Sequence, residues 1–430
     1  MTDNPRRLVA WILLLAGALV YGHHTVGKDW QRVKGVRHGR DFASYYYAGR
    51  AAQEGRDPYN KRVLSRLAHQ DETRPRGRGV HPFFYPPPFL LAVSWTLPLD
   101  LQTSYRAWFW LDSLFLLAVM LALWKWLPST GMLLGGGLVL ASFTPIPDTH
   151  WMGQANLLVL AALCWGLVLV ERESAGPRGE WWGGALVGLA CMLKMSPALL
   201  VAWWVVRKRW RPVIGACAAG VVLSLLTLPL LGVSGQWHFY SQVLPTFSSG
   251  DYQGLTVPIT IYGNHSIANL FVQASHHFWP ETAAIDGIPD QVRPLSTAVN
   301  LLLVGGSLWW LRRPAKDAVS LACSAGALVV WMLLVPPYTY EHHMVYLLLP
   351  IAALVAALGE RRLRWQWGIG LVPAYAFLAW QLQDMKGVGR GMDAAGAWWL
   401  QESKFLAAIF LGVACLVAAR PRVRSTESVA

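Results

Sequence analysis

Hydrophobic positions in this chain come in long blocks, and polar positions gather between them. The first apolar run is Leu8 to Tyr21, behind a short basic start at Arg6 and Arg7. Further runs span residues 88–99, 104–127, 131–146, 155–171, 181–193, 196–206, 212–232, 294–311, 317–337, 342–358, 365–381 and 404–420. Such blocks predict an all-α, polytopic integral membrane protein of about 11 to 13 transmembrane helices. Several runs fall short of the roughly 20 residues of a full span, and prolines break others. Helices of that kind stop at a cavity instead of crossing cleanly. The chain reads as one membrane domain over residues 1–430.

Basic clusters orient the runs. Glu171 to Glu180, Arg207 to Arg211, Arg312-Arg313, Arg361 to Arg364 and Arg420 to Arg424 are expected on the cytoplasmic side. The first run is expected to stay as a signal anchor, with residues 23–87 as a long first loop outside. Residues 233–293 form the second large outer loop. Ala48 to Leu67 is expected to make short amphipathic helices lying on the bilayer. Residues 88–127 pose a parity problem: if both of their runs cross, one later run cannot. This topology implies a multi-pass protein of the inner (plasma) membrane whose polar site faces the outside.

Composition agrees. Hydrophobic residues make up 54% of the chain and charged residues 14%, against roughly 25% charged in soluble domains. The formal charge of +13 would suggest nucleic acid in a soluble protein. Here the basic clusters sit at the ends of apolar runs, so topology accounts for them and no nucleic-acid partner is expected. The five cysteines lie in apolar stretches without CxxC spacing and read as small buried hydrophobes.

Four constellations carry candidate chemistry. Asp41 lies in Gly39-Arg40-Asp41-Phe42-Ala43-Ser44-Tyr45-Tyr46-Tyr47-Ala48-Gly49-Arg50. Its functional reading is a general base taking a proton from an acceptor hydroxyl; its competing reading is a helix cap. Tyr45, and Tyr85 in Tyr85-Pro86-Pro87-Pro88, would meet a polar substrate nearby. Lys194, alone between two apolar runs, either binds a lipid phosphate or snorkels to the interface. His342 and His343, in Pro336-Pro337-Tyr338-Thr339-Tyr340-Glu341-His342-His343, suit phosphate or sugar contact together with Glu341. Zinc would need more ligands at suitable spacing, so no metal and no cofactor is expected. Gln154 and Asn156, in Gly153-Gln154-Ala155-Asn156, and Asn264 and His265, in Gly263-Asn264-His265-Ser266, suit sugar hydroxyls; helix capping is the alternative for each amide. No Walker loop or Rossmann glycine pattern appears.

Taken in order, these pieces resemble glycosyltransferase family 87, within the GT-C superfamily of polytopic enzymes. The carriers are Asp41 with Tyr46-Tyr47-Ala48-Gly49-Arg50, the Gly55-Arg56-Asp57-Pro58-Tyr59 turn, Tyr85 to Pro88, Gly153 to Asn156, Lys194 to Pro197 with Arg207 to Arg211, Asn264 to Ser266, and His342-His343. The resemblance covers roughly residues 35–360. His265, where the family pattern has glutamine, and Met195, where a proline or small residue is common, depart from it.

The resemblance implies a sugar, usually mannose, moved from a polyprenyl-phosphate donor to a glycolipid or glycan acceptor on the outer side of the membrane. It implies inversion, with Asp41 as base. Lys194, His342 and His343 would then stabilise the departing phosphate. Two alternatives stand beside it. One is a GT-C enzyme moving arabinofuranose or aminoarabinose. The other is a transporter or flippase for a lipid-linked sugar, disfavoured because no inverted repeat is evident.

Overall fold

The computed structural model describes residues 5–34, 40–71, 79–172, 176–247, 250, 258–278, 287–313, 315 and 317–420. Gly39, parts of the 233–293 loop and Arg422 to Arg424 therefore lie outside the described residues. Among those described, all regular structure is helical and there is no strand.

The order is α1 (Pro5–Lys34), α2 (Arg40–Gln53), α3 (Lys61–Gln70), α4 (Phe89–Ser94), α5 (Leu101–Trp126), α6 (Thr130–Ser142), α7 (Pro145–Met152), α8 (Asn156–Glu171) and α9 (Pro177–Leu193). There follow α10 (Ala198–Val206), α11 (Trp210–His238), α12 (Ile267–Phe278), α13 (Arg293–Trp310), α14 (Ala318–Leu334), α15 (Glu341–Gly359), α16 (Trp365–Ala379), α17 (Leu382–Gly389) and α18 (Ala394–Ala418). Short polar residues start many of them. Asp100 accepts from Thr103 N at 2.9 Å, Ser129 from Met132 N at 3.2 Å and Asp317 from Ser320 N at 2.8 Å. Each satisfies an amide that the helix itself leaves unpaired.

Among the described residues, five helical stretches are long and apolar enough to cross a membrane, beginning with α1 and α5. A sixth arises if α6 and α7, bent by 53°, count as one span. The protein is thus a multi-pass membrane protein. Helices too short for that test, such as α8 and α14, pack inside the bundle, where neighbouring protein covers their ends.

Two differences from the expected layout matter. The first helix does not end near Tyr21 but continues to Lys34 through a π-helical turn at His24–Asp29. Residues 23–34 are therefore helix, not loop. The 88–99 run contributes only the six-residue α4, with Leu97 and Leu99 just beyond it against Gly49 and Tyr46 of α2; of the two runs in 88–127, only α5 is long and apolar enough to cross a membrane.

Small residues let the helices approach. A Cβ on Gly17 would lie 2.1 Å from the Gly137 carbonyl, and one on Gly137 would lie 2.5 Å from that of Leu13. Gly184 and Gly188 of α9 meet Pro212 and Ala216 of α11 in the same way. Lipid supplies no hydrophobic drive between helices, so close van der Waals packing has to.

The bundle has two chemically distinct ends. At one, the buried Glu171 carboxylate receives Arg207 at 3.0 Å, Arg209 at 3.1 Å and the Trp204 indole at 2.8 Å. Arg362 meets Asp317 at 2.7 Å there as well. At the other end, α1, α2, α7 and the starts of α8 and α15 surround a cavity of about 1080 Å³.

Candidate active site

The cavity is built on a sharp corner. α7 ends at Gly153, whose φ of 67° lies in the left-handed region, and a Cβ there would sit 2.7 Å from that of Phe42. Only glycine suits both conditions. The corner delivers Gln154 beneath α2, whose first turn carries Asp41.

Gln154 Nε2 donates to Asp41 Oδ2 at 2.5 Å. Its carbonyl oxygen accepts the Tyr45 hydroxyl at 2.9 Å and the Tyr85 hydroxyl at 3.2 Å, and those hydroxyls are 2.8 Å apart. Two hydroxyls on the amide oxygen leave only the NH2 to face the carboxylate. The flipped amide would set oxygen against oxygen, so the arrangement orients Asp41 on the cavity wall. Tyr45 is fully buried and stands behind this contact, whereas Tyr85, Gln154 and Asp41 line the cavity.

Lys194 caps α9 and faces the same cavity. Its Nζ donates to Asn156 Oδ1 at 2.9 Å and lies 5.8 Å from the Tyr346 ring centre. Burial draws its pKa down to about 7, with the nearby Asp41 charge opposing the shift. No carboxylate bonds Lys194 among the described residues, so an anionic group entering the cavity would find a desolvated ammonium. Asn156 itself is 1% exposed. Its Nδ2 donates to the His342 carbonyl at 2.9 Å, which ties Lys194 to the histidine pair.

His342 and His343 both line the cavity, their rings 4.4 Å apart and nearly perpendicular. The Tyr340 amide donates to His343 Nδ1 at 3.1 Å, so in the neutral ring Nε2 carries the proton. His342 Nδ1 lies 3.6 Å from Asp148 Oδ2. Glu341 also lines the cavity and pairs with Lys404 of α18. Lys404 is wholly buried and also donates to the Trp380 carbonyl at 2.6 Å.

Asn264 and His265 take a different place. Neither lines the cavity. Asn264 Nδ2 donates to the carbonyls of Ile259 and Pro337, and its Oδ1 accepts Thr339 N at 2.9 Å. It thereby clamps the loop that carries Pro336 to Tyr340. His265 is fully buried 4.0 Å from Glu341, and burial with the Lys404 charge lowers its pKa to about 3. It stays neutral at physiological pH.

Five contributors carry no signal in the sequence. Lys404 looks like an interfacial lysine at the edge of an apolar run. Asp148 lies in Pro147-Asp148-Thr149-His150, five residues before the Gly153 to Asn156 motif, with no pattern of its own. Lys28, Asp29 and Arg32 look like loop residues beyond a span, yet they line the cavity from α1. Among the described residues no group of three or more His, Cys, Asp or Glu side chains gathers as a metal site would.

The sequence model of glycosyltransferase family 87 matches residues 83–337, more than half of the chain. The chain belongs to glycosyltransferase family 87. It is therefore a membrane glycosyltransferase, as the motif order implies. The family match takes in Tyr85, Gln154, Asn156, Lys194, Asn264 and His265; Asp41, Tyr45, Glu341, His342 and His343 flank it.

This family 87 chain is 23% identical to a polyprenol-phosphate-mannose-dependent alpha-(1-2)-phosphatidylinositol mannoside mannosyltransferase of Mycobacterium tuberculosis, over 92% of this chain and 87% of the relative. It is 31% identical to a polyprenol-phosphate-mannose-dependent alpha-(1-2)-phosphatidylinositol pentamannoside mannosyltransferase of Mycolicibacterium smegmatis, over 52% of this chain and 49% of that relative. No solved structure matches the chain.

Proposed function

We propose that this enzyme moves mannose from a polyprenyl-phosphate donor to a mannosylated phospholipid acceptor, with inversion, at the extracytoplasmic face of the inner membrane. The observation that carries the proposal is the facing pair in one cavity: an oriented carboxylate, Asp41, and a desolvated lysine, Lys194. The named activities of the relatives supply the donor and the acceptor class.

In the proposed reaction the acceptor hydroxyl attacks the anomeric carbon of the donor mannose. A C–O bond forms there as the bond to the phosphate oxygen breaks on the opposite face. The hydroxyl proton passes to Asp41, and the electron pair of the broken bond leaves with the polyprenyl phosphate. Lys194 and the His343 Nε2–H face that growing negative charge. Donors already in place cost no reorganisation as charge develops, and each can contribute a few kcal/mol in a water-poor site. Asn156 and Gln154 hold these groups in position. Glu341 would meet hydroxyls of the sugar.

Sidedness rests on charge. The Arg207, Arg209 and Arg362 clusters lie at the end opposite the cavity, and excess Lys and Arg marks cytoplasmic loops.

The test is Asp41→Asn in protein reconstituted with synthetic mannosyl polyprenyl phosphate and a phosphatidylinositol mannoside. Asparagine keeps the shape and loses the base, so turnover should fall roughly 10²–10⁴-fold while donor binding holds. Turnover within tenfold of wild type would remove Asp41 from the role. The anomeric configuration of the product, read by NMR, checks inversion.

A further inference from the structure

We infer that Lys28 and Arg32 of α1 bind the phosphodiester of the lipid acceptor, as a second anion site in the cavity that Lys194 also lines. The inference rests on the proposed function and adds where the acceptor's charge is held. Three observations carry it.

The first is the helix itself. α1 passes through a π-helical turn at His24–Asp29 and then resumes regular winding. Such turns are rare and cluster at functional sites. This one falls where α1 reaches the cavity: His24, Thr25, Lys28, Asp29 and Arg32 all line it.

The second is charge. Arg207 with Arg209 and Arg362 lie at the far end, where they satisfy topology; Lys61, Arg62 and Arg66 of α3 gather on the cavity side of the bundle but do not line the cavity, whereas Lys28 and Arg32 do. Arg6 and Arg7 already anchor the start of α1. Lys28 and Arg32, at the opposite end of the same helix, run against the positive-inside bias. An anion bound there gives them a reason.

The third is poise. The Arg32 guanidinium lies 5.1 Å from the Trp151 ring centre and 3.8 Å from Asp29 Oδ1. Its side chain is still 49% exposed, while that of Asp29 is 9% exposed. Stacking and one long ion pair orient the guanidinium fork but leave donors free for a phosphodiester, which arginine binds in bidentate fashion. Lys28 follows one turn earlier on the same helical face, also exposed. Lys194 is committed to the donor in the proposed reaction, so an anionic acceptor needs a cation of its own.

The acceptor and a bulk anionic lipid offer the same phosphodiester chemistry, and the assay separates these. Lys28→Gln/Arg32→Gln protein is placed in nanodiscs of neutral lipid and given either a phosphatidylinositol mannoside or an uncharged alkyl mannoside. We expect KM for the phospholipid acceptor to rise about tenfold or more, since charge-assisted bonds are lost. KM for the alkyl mannoside and for the donor should move less than about twofold. Arg32→Lys should recover part of the loss. Equal losses with both acceptors, or a defect that tracks only the anionic lipid content of the disc, would overturn the inference. Absence of mannosyl transfer by wild-type protein to either acceptor would instead strike the proposed function beneath it.

Discussion

At the scale of single residues, the site depends on groups whose hydrogen bonds leave them one choice of orientation. Gln154 is the clearest case: with Tyr45 and Tyr85 on its oxygen, its NH2 can only face Asp41. Lys194 shows the electrostatic counterpart. Burial sets its pKa near 7, so in the empty site it loses its proton as pH rises through that value. A bound phosphate favours the ammonium and raises the pKa. Below about 7 the lysine is already charged and donor affinity should be flat. Above it, binding must take up a proton, which costs up to about 1.4 kcal/mol per pH unit. Donor Kd should therefore rise by up to tenfold per unit above pH 7, until pH meets the pKa of the bound state. Calorimetric titration between pH 6 and 9 checks this. Lys194→Met should weaken donor binding and abolish the slope, whereas a slope that survives the substitution would assign it to another group.

At the scale of elements, what was legible and what was not have physical causes. Asp41, Gln154, Lys194 and the His342-His343 pair stand out because polar residues are scarce in an apolar chain, and all line one cavity. Asn264 and His265 stood out equally, but Asn264 spends its amide on the backbone of the Pro336 to Tyr340 loop. Sequence alone cannot separate an amide that binds a ligand from one that binds a carbonyl. The length of α1 was missed because hydropathy reports contact with lipid, not helicity. Past Tyr21 the helix continues with polar residues because it borders a cavity. That continuity has a consequence at Gly17, where α1 crosses Gly137 of α6 with no space for a side chain. Gly17→Val should force the two backbones apart at a cost of roughly 1–3 kcal/mol or more. The thermal midpoint in detergent should fall. Acceptor turnover should fall too, because the same helix carries Lys28 and Arg32 at its other end. A midpoint and activity equal to wild type would mean that the crossing yields without strain.

At the scale of the whole molecule, one buried ion pair ties the last helix to the site. Lys404 of α18 reaches Glu341 at the start of α15 and the Trp380 carbonyl just beyond α16, with nothing of its side chain exposed. Three distant stretches of chain thus converge immediately before the His342-His343 turn. The family match ends at residue 337, so both ends of this brace lie beyond it. A buried pair is weak as a source of net stability, yet removing one partner leaves a charge stranded. Lys404→Met should lower stability by roughly 3–5 kcal/mol and loosen the histidine turn, reducing turnover more than donor binding. Glu341→Gln combined with Lys404→Met removes both charges and should restore much of the stability. If Glu341 only braces the turn, turnover should return with it. If its carboxylate also meets the sugar, the double variant should fold well and remain slow, with a raised KM for one substrate. Thermal melts and steady-state kinetics on the two variants distinguish a strut from a strut that also reads the substrate.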